Sequence, residues 1–256
     1  MSKIKNAFKN GKAFIAFLTA GDPSIEKTEE FILEMVKAGA DLIEIGIPFS
    51  DPIAEGAVIQ SANVRALNAG TTTDKVFELV KSVRTKTDVP IVFLTYLNPV
   101  FKYGFDRFFK TCSETGVDGI IIPDMPYNEK SECFAVAEKY GVDIISMIAP
   151  TSDQRIKEIA SQAKGFVYVV SSMGVTGVRS EITTDLNTIL KSIKSATSTP
   201  TAIGFGISTP EQAKEMAKIA DGVIVGSAIV KIIEKYGDEA GTYLYEYVKS
   251  MKSSIS

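Results

Sequence analysis

The 256-residue sequence contains no histidine and no tryptophan, and it has only two cysteines. The absence of histidine excludes the commonest general base, zinc sites built on imidazole, and the Ser–His and Cys–His nucleophile pairs. Cys112 and Cys133 lack the spacing of a metal or redox motif, so we expect both to pack in helices. Acid–base chemistry in this chain must therefore use carboxylates, lysine or tyrosine.

The chain also lacks a strong charge of either sign and any long apolar run. Its net charge of −3 provides no basic surface for nucleic acid. No run approaches the roughly 18 apolar residues of a membrane span. Residues 1–10 lack the apolar segment of a secretory signal. We therefore expect one globular domain over residues 1–256, located in the cytoplasm.

Eight apolar runs, each closed by turn residues, predict β-strands. Most are continuously apolar, which is typical of parallel strands buried on both faces. Nearly all are followed by a helical pattern. This repeat favours a single (β/α)8 TIM barrel over a doubly wound open sheet, with a short helix at residues 3–9 leading in. The predicted strands are Ala13–Thr19, Leu42–Ile47, Pro90–Tyr96, Gly119–Ile122, Asp143–Ile148, Phe166–Val170, Thr201–Phe205 and Gly222–Val225.

Capping residues predict where several helices begin. Each pairs an N-terminal side-chain acceptor with a proline or glutamine in the following turn. The predicted starts are Asp22-Pro23, the pair Thr151 and Gln154, and the pair Thr209 and Gln212.

Two acids stand out near the second predicted strand. Glu44 interrupts an apolar strand, where a buried carboxylate is costly unless it is paired, protonated or used. It shares a strand face with Leu42, so we expect it to point into the barrel with a raised pKa. Glu55 lies in the long connection that follows. The two predict an acid–base pair at the carboxyl ends of the strands.

Glycine clusters follow the last three predicted strands, at residues 174–177, 204–206 and 226–227. The last of them precedes a helix that is predicted to start near Ala228. Backbone N–H groups at consecutive strand ends and at a helix N-terminus are typical of a phosphate site in this architecture. The predicted phosphate-binding residues are Gly177, Gly206, Gly226 and Ser227.

Apolar and aromatic residues near strand ends predict a lining for a flat aromatic group. These residues are Phe17, Ile59, Tyr96 and Tyr168. None of the predicted strands contains a lysine, so Schiff-base chemistry is not expected, and the lack of histidine argues against a zinc-assisted version. Carbon–carbon cleavage by carboxylates alone requires a substrate that has its own electron sink.

Motifs along the chain resemble those of the α subunit of tryptophan synthase. The most specific match is Leu-Ile-Glu-Ile-Gly-Ile-Pro-Phe-Ser-Asp-Pro at residues 42–52, and residues 17–23, 174–177, 204–208 and 226–230 match in register. The resemblance implies cleavage of indole-3-glycerol phosphate to indole and glyceraldehyde 3-phosphate without a cofactor or metal in this chain. It also implies an α2β2 heterotetramer, in which indole passes to a β subunit that carries pyridoxal phosphate.

The resemblance also assigns roles to individual residues. Glu44 matches the acid that protonates indole C3 and removes the glycerol 3′-hydroxyl proton. Glu55 stands where the family has an aspartate that takes the indole N–H proton, and Ala57 stands where it usually has proline. Tyr168 matches a tyrosine beside the catalytic acid, and Thr176 matches a substrate-contacting residue of a lid.

A second surface is predicted to dock the β subunit. It combines Asp51 and Pro52 with the loop Asn98–Tyr103, in which Pro99, Phe101 and Tyr103 are too apolar for a solvated segment.

Two alternatives remain open from the sequence. Another phosphate-binding barrel, such as indole-3-glycerol phosphate synthase, requires strand-end lysines that are missing here. The other is a partner-binding regulatory subunit that has lost catalysis at Glu55.

Overall fold

All the described strands run parallel in one sheet. The computed structural model describes the backbone of residues 2–125, 131–170, 179–204 and 206–256, and their side chains except at 131–132 and 179–185. The strands are β1 Ala13–Thr19, β2 Leu42–Gly46, β3 Ile91–Leu94, β4 Gly119–Ile121, β5 Asp143–Ile144, β6 Ser146–Ile148, β7 Val167–Val170, β8 Thr201–Gly204 and β9 Gly222–Val225. Their order is β5-β4-β3-β2-β1-β9-β8-β7-β6.

The fifth predicted strand, residues 143–148, is split in two. β5 pairs with β4, and β6 pairs with β7, so this one segment joins both ends of the sheet. Between them, the N–H of Ile145 still donates to the carbonyl oxygen of Ile120 at 2.8 Å. Strands in a closed barrel are tilted and staggered, so the two neighbours of a strand meet different parts of it. One continuous strand was the wrong prediction here, whereas the (β/α)8 TIM barrel is confirmed.

Helices form the outer layer of the barrel. A 3₁₀ helix at Ile4–Phe8 confirms the predicted lead-in helix, and another spans Gly237–Glu239. None of the described helices is long and apolar enough to cross a membrane. The described α-helices are α1 Ile25–Lys37, α2 Ala57–Asn68, α3 Thr73–Arg84, α4 Leu97–Tyr103, α5 Phe105–Thr115, α6 Ser131–Lys139, α7 Asp153–Ser161, α8 Arg179–Ala196, α9 Pro210–Ile219, α10 Ser227–Tyr236 and α11 Ala240–Ile255.

The capping predictions for α7 and α9 have different outcomes. Thr209 and Gln212 form the expected capping box at the start of α9. At α7 the N-cap is Ser152, whose hydroxyl accepts from the N–H of Arg155. The prediction of Thr151 is wrong by one residue, because two adjacent hydroxyl residues offer equivalent caps in the sequence, and Ser152 has the extended backbone of an N-cap.

Asp22 does not cap α1. Ser24 is the N-cap, and its hydroxyl accepts from the N–H of Lys27. The carboxylate of Asp22 is buried and binds the guanidinium of Arg65 through two hydrogen bonds of 2.8 Å. Asp22 therefore forms an ion pair that joins the connection between β1 and α1 to helix α2.

Residues 98–103, which were predicted as a loop, lie in helix α4. Pro99 lies in its first turn, where a missing N–H costs nothing because that group has no intrahelical partner. The N–H of Leu97 donates to Oδ1 of Asp124 at 2.9 Å, which satisfies one of the exposed donors of the helix start. The proline therefore marks a helix start and not a loop.

The side chains of β2 alternate between the two sides of the sheet. Ile43 and Ile45 pack with the outer helices, whereas Leu42 packs inside the barrel. This confirms that Glu44, on the face of Leu42, points inward. The two cysteines are buried as expected. One sheet holds every described strand, and a single domain over residues 1–256 stays a prediction.

Candidate active site

A cavity of about 330 Å³ opens at the carboxyl ends of the strands. Its wall includes most of the residues predicted to bind substrate or phosphate, namely Phe17, Glu44, Glu55, Ile59, Tyr168, Gly206, Gly226 and Ser227. The other lining residues are Ala54, Gly56, Leu94, Pro123, Met147, Ile207, Ser208, Ile224, Ala228 and Lys231. Residues that lie far apart in the sequence are thus brought together by the barrel.

Glu44 is held rigidly in the middle of β2, paired with Phe17 of β1 and Val92 of β3. It is 1% exposed, and its Oε2 has no hydrogen-bond partner among the described residues. Burial, with a contribution from the negative charge of Glu55, raises the pKa of Glu44 to about 8. Glu44 therefore carries a proton at neutral pH, and this proton is available to a substrate.

Glu55 faces the same cavity from the connection before α2. The amide Nδ2 of Asn63 donates to its Oε2 at 2.7 Å, and Nε2 of Gln60 donates to its carbonyl oxygen at 2.8 Å. Burial raises the pKa of Glu55, whereas the hydrogen bond from Asn63 opposes that rise. This carboxyl group has a donor that favours its ionised form, whereas Oε2 of Glu44 has none among the described residues.

Tyr96 supports the connection that carries Glu55. Its ring packs against Phe49 with centroids 5.4 Å apart, and its hydroxyl oxygen accepts from the N–H of Ala54 at 3.0 Å. Tyr96 is buried and is not part of the cavity wall. The described geometry therefore supports a positioning role for Tyr96, and its direct contact with substrate stays a prediction.

Two aromatic rings of the cavity wall pack against glycine residues. A Cβ atom at Gly46 would lie 2.9 Å from the ring of Phe17, and one at Gly226 would lie 3.1 Å from it. A Cβ atom at Gly204 would overlap the hydroxyl of Tyr168. Burial, with the charge of Glu44, raises the pKa of Tyr168, so its phenol stays protonated. These rings give the cavity apolar walls suited to a flat ligand.

Two of the predicted phosphate-binding residues lie at the start of α10. Gly226 is the N-cap residue and has no side chain to occupy the first N–H groups of the helix, which begins at Ser227. Gly206 has a φ of +77°, a conformation that favours glycine. Free N–H groups at a helix N-terminus attract anions. Gly177, and with it Thr176, lies outside the described residues.

Lys231 is a cavity residue that the sequence reasoning missed. It is the one cation in the described cavity wall, and it lies four residues after Ser227 on α10. Residues four apart share a helix face, so this spacing was the available signal. Lys231 lies on the helix after the last strand and can supply positive charge to an anion. It is not at a strand end, where a lysine that forms a Schiff base was considered.

The predicted docking residues are mostly accessible. Asp51, Asn98 and Phe101 are exposed, whereas Pro52 and Pro99 are half-buried. Phe101 is 68% exposed, and Ile53, which was not predicted, is 79% exposed. Tyr103 differs from them, because its ring packs against Phe77 and its hydroxyl donates to Asp74. Exposed apolar side chains therefore remain at Ile53 and at Phe101.

The parallel barrel and the position of its cavity define a TIM-barrel enzyme whose site lies at the carboxyl ends of the strands. Residues 3–255 match the family model of the tryptophan synthase alpha chain, and the chain belongs to this family.

Individual relatives agree with this assignment. The tryptophan synthase alpha chain of Lacticaseibacillus casei is 52% identical over 255 residues, covering 100% of this chain and 96% of that protein. The crystal structure of tryptophan synthase subunit alpha from Legionella pneumophila has a TM-score of 0.90 and 36% identity, covering 100% of this chain and 98% of that one. A chain of the tryptophan synthase α2β2 complex from Pyrococcus furiosus has a TM-score of 0.87 and 39% identity, covering 95% and 99%.

Proposed function

We propose that this chain is the α subunit of a tryptophan synthase and cleaves indole-3-glycerol phosphate to indole and glyceraldehyde 3-phosphate. The observation that carries the proposal is the buried, protonated Glu44, with an oxygen that has no partner among the described residues, in one cavity with Glu55. Structural carboxyl groups are normally satisfied by hydrogen bonds. This one is suited to exchange a proton with a substrate.

The reaction uses the substrate as its own electron sink. Glu44 donates its proton to indole C3, which makes the ring an acceptor of electrons. Removal of the 3′-hydroxyl proton by Glu44, now ionised, then breaks the bond between C3 and the glycerol chain and forms the aldehyde. Glu55 takes the indole N–H proton when C3 is protonated and returns it to the nitrogen as the carbon–carbon bond breaks, so that neutral indole is released. Each transfer needs a carboxyl group within hydrogen-bond distance of the reacting atom.

The phosphate group of the substrate is proposed to bind at the start of α10. Gly206, Gly226 and Ser227 supply backbone and hydroxyl donors there, and Lys231 supplies a positive charge. The described strands carry no lysine, so the indole-3-glycerol phosphate synthase alternative is not favoured.

The β subunit is proposed to dock on the apolar surface at Ile53 and Phe101, with Asp51, Asn98 and the adjoining prolines at its edge. The two α and two β subunits would form a heterotetramer, and pyridoxal phosphate would be held by β and not by this chain. We place the complex in the cytoplasm, where thiols such as Cys112 and Cys133 stay reduced.

The direct test is release of indole from indole-3-glycerol phosphate by the purified chain, alone and with the β subunit. We expect indole in both cases, with faster release in the complex. A folded chain that releases no indole under either condition would contradict the proposal and support a purely regulatory role.

Ser227→Asp should weaken binding of the phosphate group. A carboxylate at the first residue of α10 stabilises the helix, because it faces the positive end of the helix dipole, but it repels a phosphate at the same N–H groups. We expect KM to rise at least about tenfold, while thermal stability is kept, since each 1.4 kcal/mol corresponds to a factor of 10. This test is sharper than Gly206→Leu, because the positive φ of Gly206 strains any side chain.

Thr73→Asp is the matched control, since Thr73 is also a hydroxyl residue at the first position of a helix, and it does not line the cavity. Protection by glycerol 3-phosphate against thermal unfolding should persist in this control and be lost in Ser227→Asp. Equal protection in both variants places the phosphate elsewhere.

Phe101→Asp should weaken association with the β subunit. The ring is largely exposed and makes an edge contact only with Phe105 among the aromatic contacts described, so the substitution leaves the core intact. We expect at least a tenfold higher Kd for β by calorimetry, with unchanged indole release by the isolated chain. Tyr243→Asp, at another exposed ring, is the control. An unchanged Kd for Phe101→Asp would remove Phe101 from the interface.

A further inference from the structure

Helix α2 holds the side chain as well as the backbone of Glu55. Asn63, in the middle of this helix, is 4% exposed and donates from Nδ2 to Oε2 of Glu55 at 2.7 Å. Gln60, one turn earlier, donates to the carbonyl oxygen of Glu55. The position of this carboxyl group is therefore set by α2 and not by the loop alone.

Asn63 is an unusual residue for its position. Its neighbours on the buried face of α2 are Ile59, Ala62 and Ala66, so an apolar residue there would avoid the cost of burying an amide. The amide is instead directed at Glu55. A hydrogen bond donated to an ionised carboxylate is stronger than one to a neutral acid, so this contact favours the ionised form of Glu55.

Other titratable groups also face the cavity, but they do not replace this contact. Glu44 reaches the cavity from β2, Tyr168 from β7 and Lys231 from α10. Tyr96, at the start of α4, contacts the connection between β2 and α2 through Ala54. Among the described residues none of these four hydrogen-bonds to the carboxyl group of Glu55. The negative charge of Glu55 opposes ionisation of Glu44, because two negative charges in one cavity repel each other.

We propose that Asn63 is a positioning residue that keeps Glu55 ionised and holds its Oε2, which leaves Oε1 to take the substrate proton. The inference rests on the proposed function, because it assigns Asn63 to the proton transfers of that reaction. Two interacting carboxyl groups titrate as a coupled pair, and their roles separate when the surroundings treat them differently. A donor on Glu55, and none among the described residues on Oε2 of Glu44, provides that difference.

The test is the pH profile of kcat/KM for indole release by the complex with the β subunit. Asn63→Leu keeps the size of the side chain and removes the donor, and Asn63→Asp replaces the donor with a second acid. We expect the acidic limb to move up by about 1 pH unit in Asn63→Leu and further in Asn63→Asp, because each change favours protonated Glu55. Ionisation of the substrate phosphate is common to all variants and does not affect the comparison.

Ala66→Gly is the matched control, since it weakens the same buried face of α2 by about 1 kcal/mol without touching Glu55. It should leave the limb in place. A merely structural Asn63 would lower activity equally at every pH. An unmoved limb in folded Asn63→Asp, whose shape is nearly that of asparagine, overturns the inference.

Glu55→Ala separates this failure from failure of the proposed function. If Glu55→Ala loses activity while Asn63→Leu and Asn63→Asp keep the wild-type profile, the reaction stands and only the role of Asn63 is wrong. If Glu55→Ala retains full activity, the assignment of Glu55 itself fails, and the inference fails with it.

Discussion

Glu44→Gln is expected to lower kcat/KM for indole release by about 10²–10⁴-fold, the usual contribution of a general acid–base group. Glutamine keeps the shape of the side chain but can neither donate a carboxyl proton nor accept one back. The side chain is on a central strand and lines the cavity. Glu29→Gln is a control of identical chemistry, at an acid that binds Lys86 and Ser82 outside the cavity.

The same substitution is expected to stabilise the fold at alkaline pH. The pKa of Glu44 is raised from 4.5 in the unfolded chain to about 8 in the folded protein. The stability associated with the bound proton is fully present below pH 4.5 and is lost as pH rises through 8, with a limiting slope of about 1.4 kcal/mol per pH unit. Glutamine has no such loss.

Thermal unfolding between pH 5 and 9 measures this effect. The Tm difference between Glu44→Gln and wild type should grow up to about pH 8 and then level off. Wild-type kcat/KM should decline as the pH rises through about 8, because Glu44 must be protonated to act as an acid. Near-normal indole release by a folded Glu44→Gln protein would exclude the acid–base role.

Shortening Glu55 to aspartate is expected to cost about 1–3 kcal/mol in kcat/KM, a factor of roughly 5–150. Aspartate is one carbon–carbon bond shorter, and a base must come within about 2.6–3.2 Å of its proton. The shorter side chain also withdraws from Asn63, which donates to Glu55 from a fixed position on α2. Glu55→Ala should cost more, because it removes the proton acceptor altogether.

Steady-state kinetics of both variants with the β subunit present measure this loss. Glu234→Asp is the control, since Glu234 is an exposed acid that binds Arg65 outside the cavity. An alanine variant within twofold of wild type would mean that Glu55 has no part in catalysis.

The site could be predicted where its signal was local. Glu44 was recognised because a carboxyl group in an apolar strand is costly and because strand alternation fixes its direction. The glycines before α10 were recognised because glycine between a strand and a helix N-terminus is typical of anion binding by backbone N–H groups. Ala57, which stands where the family usually has proline, is the first residue of α2, a position that also accepts proline.

The remaining features depend on contacts that the sequence does not display. Asn63 looked like an ordinary helix residue until the fold placed Glu55 at its amide. The start of α4 depends on Asp124, which lies on a different connection. Lys231 enters the cavity only because the barrel is closed. Propensity and spacing report neighbours along the chain, whereas these roles are set by neighbours across it.

The split fifth strand makes the barrel mechanically uneven. β1 and β2 are paired from Ile15 and Leu42 up to Thr19 and Gly46, whereas β5 contributes only Asp143 and Ile144 to its ladder with β4. Short ladders open first in native-state fluctuations, so amide hydrogen exchange should be fastest along this seam and slowest around β2. The short ladder of β5 is therefore separated from β2, which carries Glu44, by β3 and β4. Opening of this short ladder would leave the pairing of β2 with β1 and β3 intact.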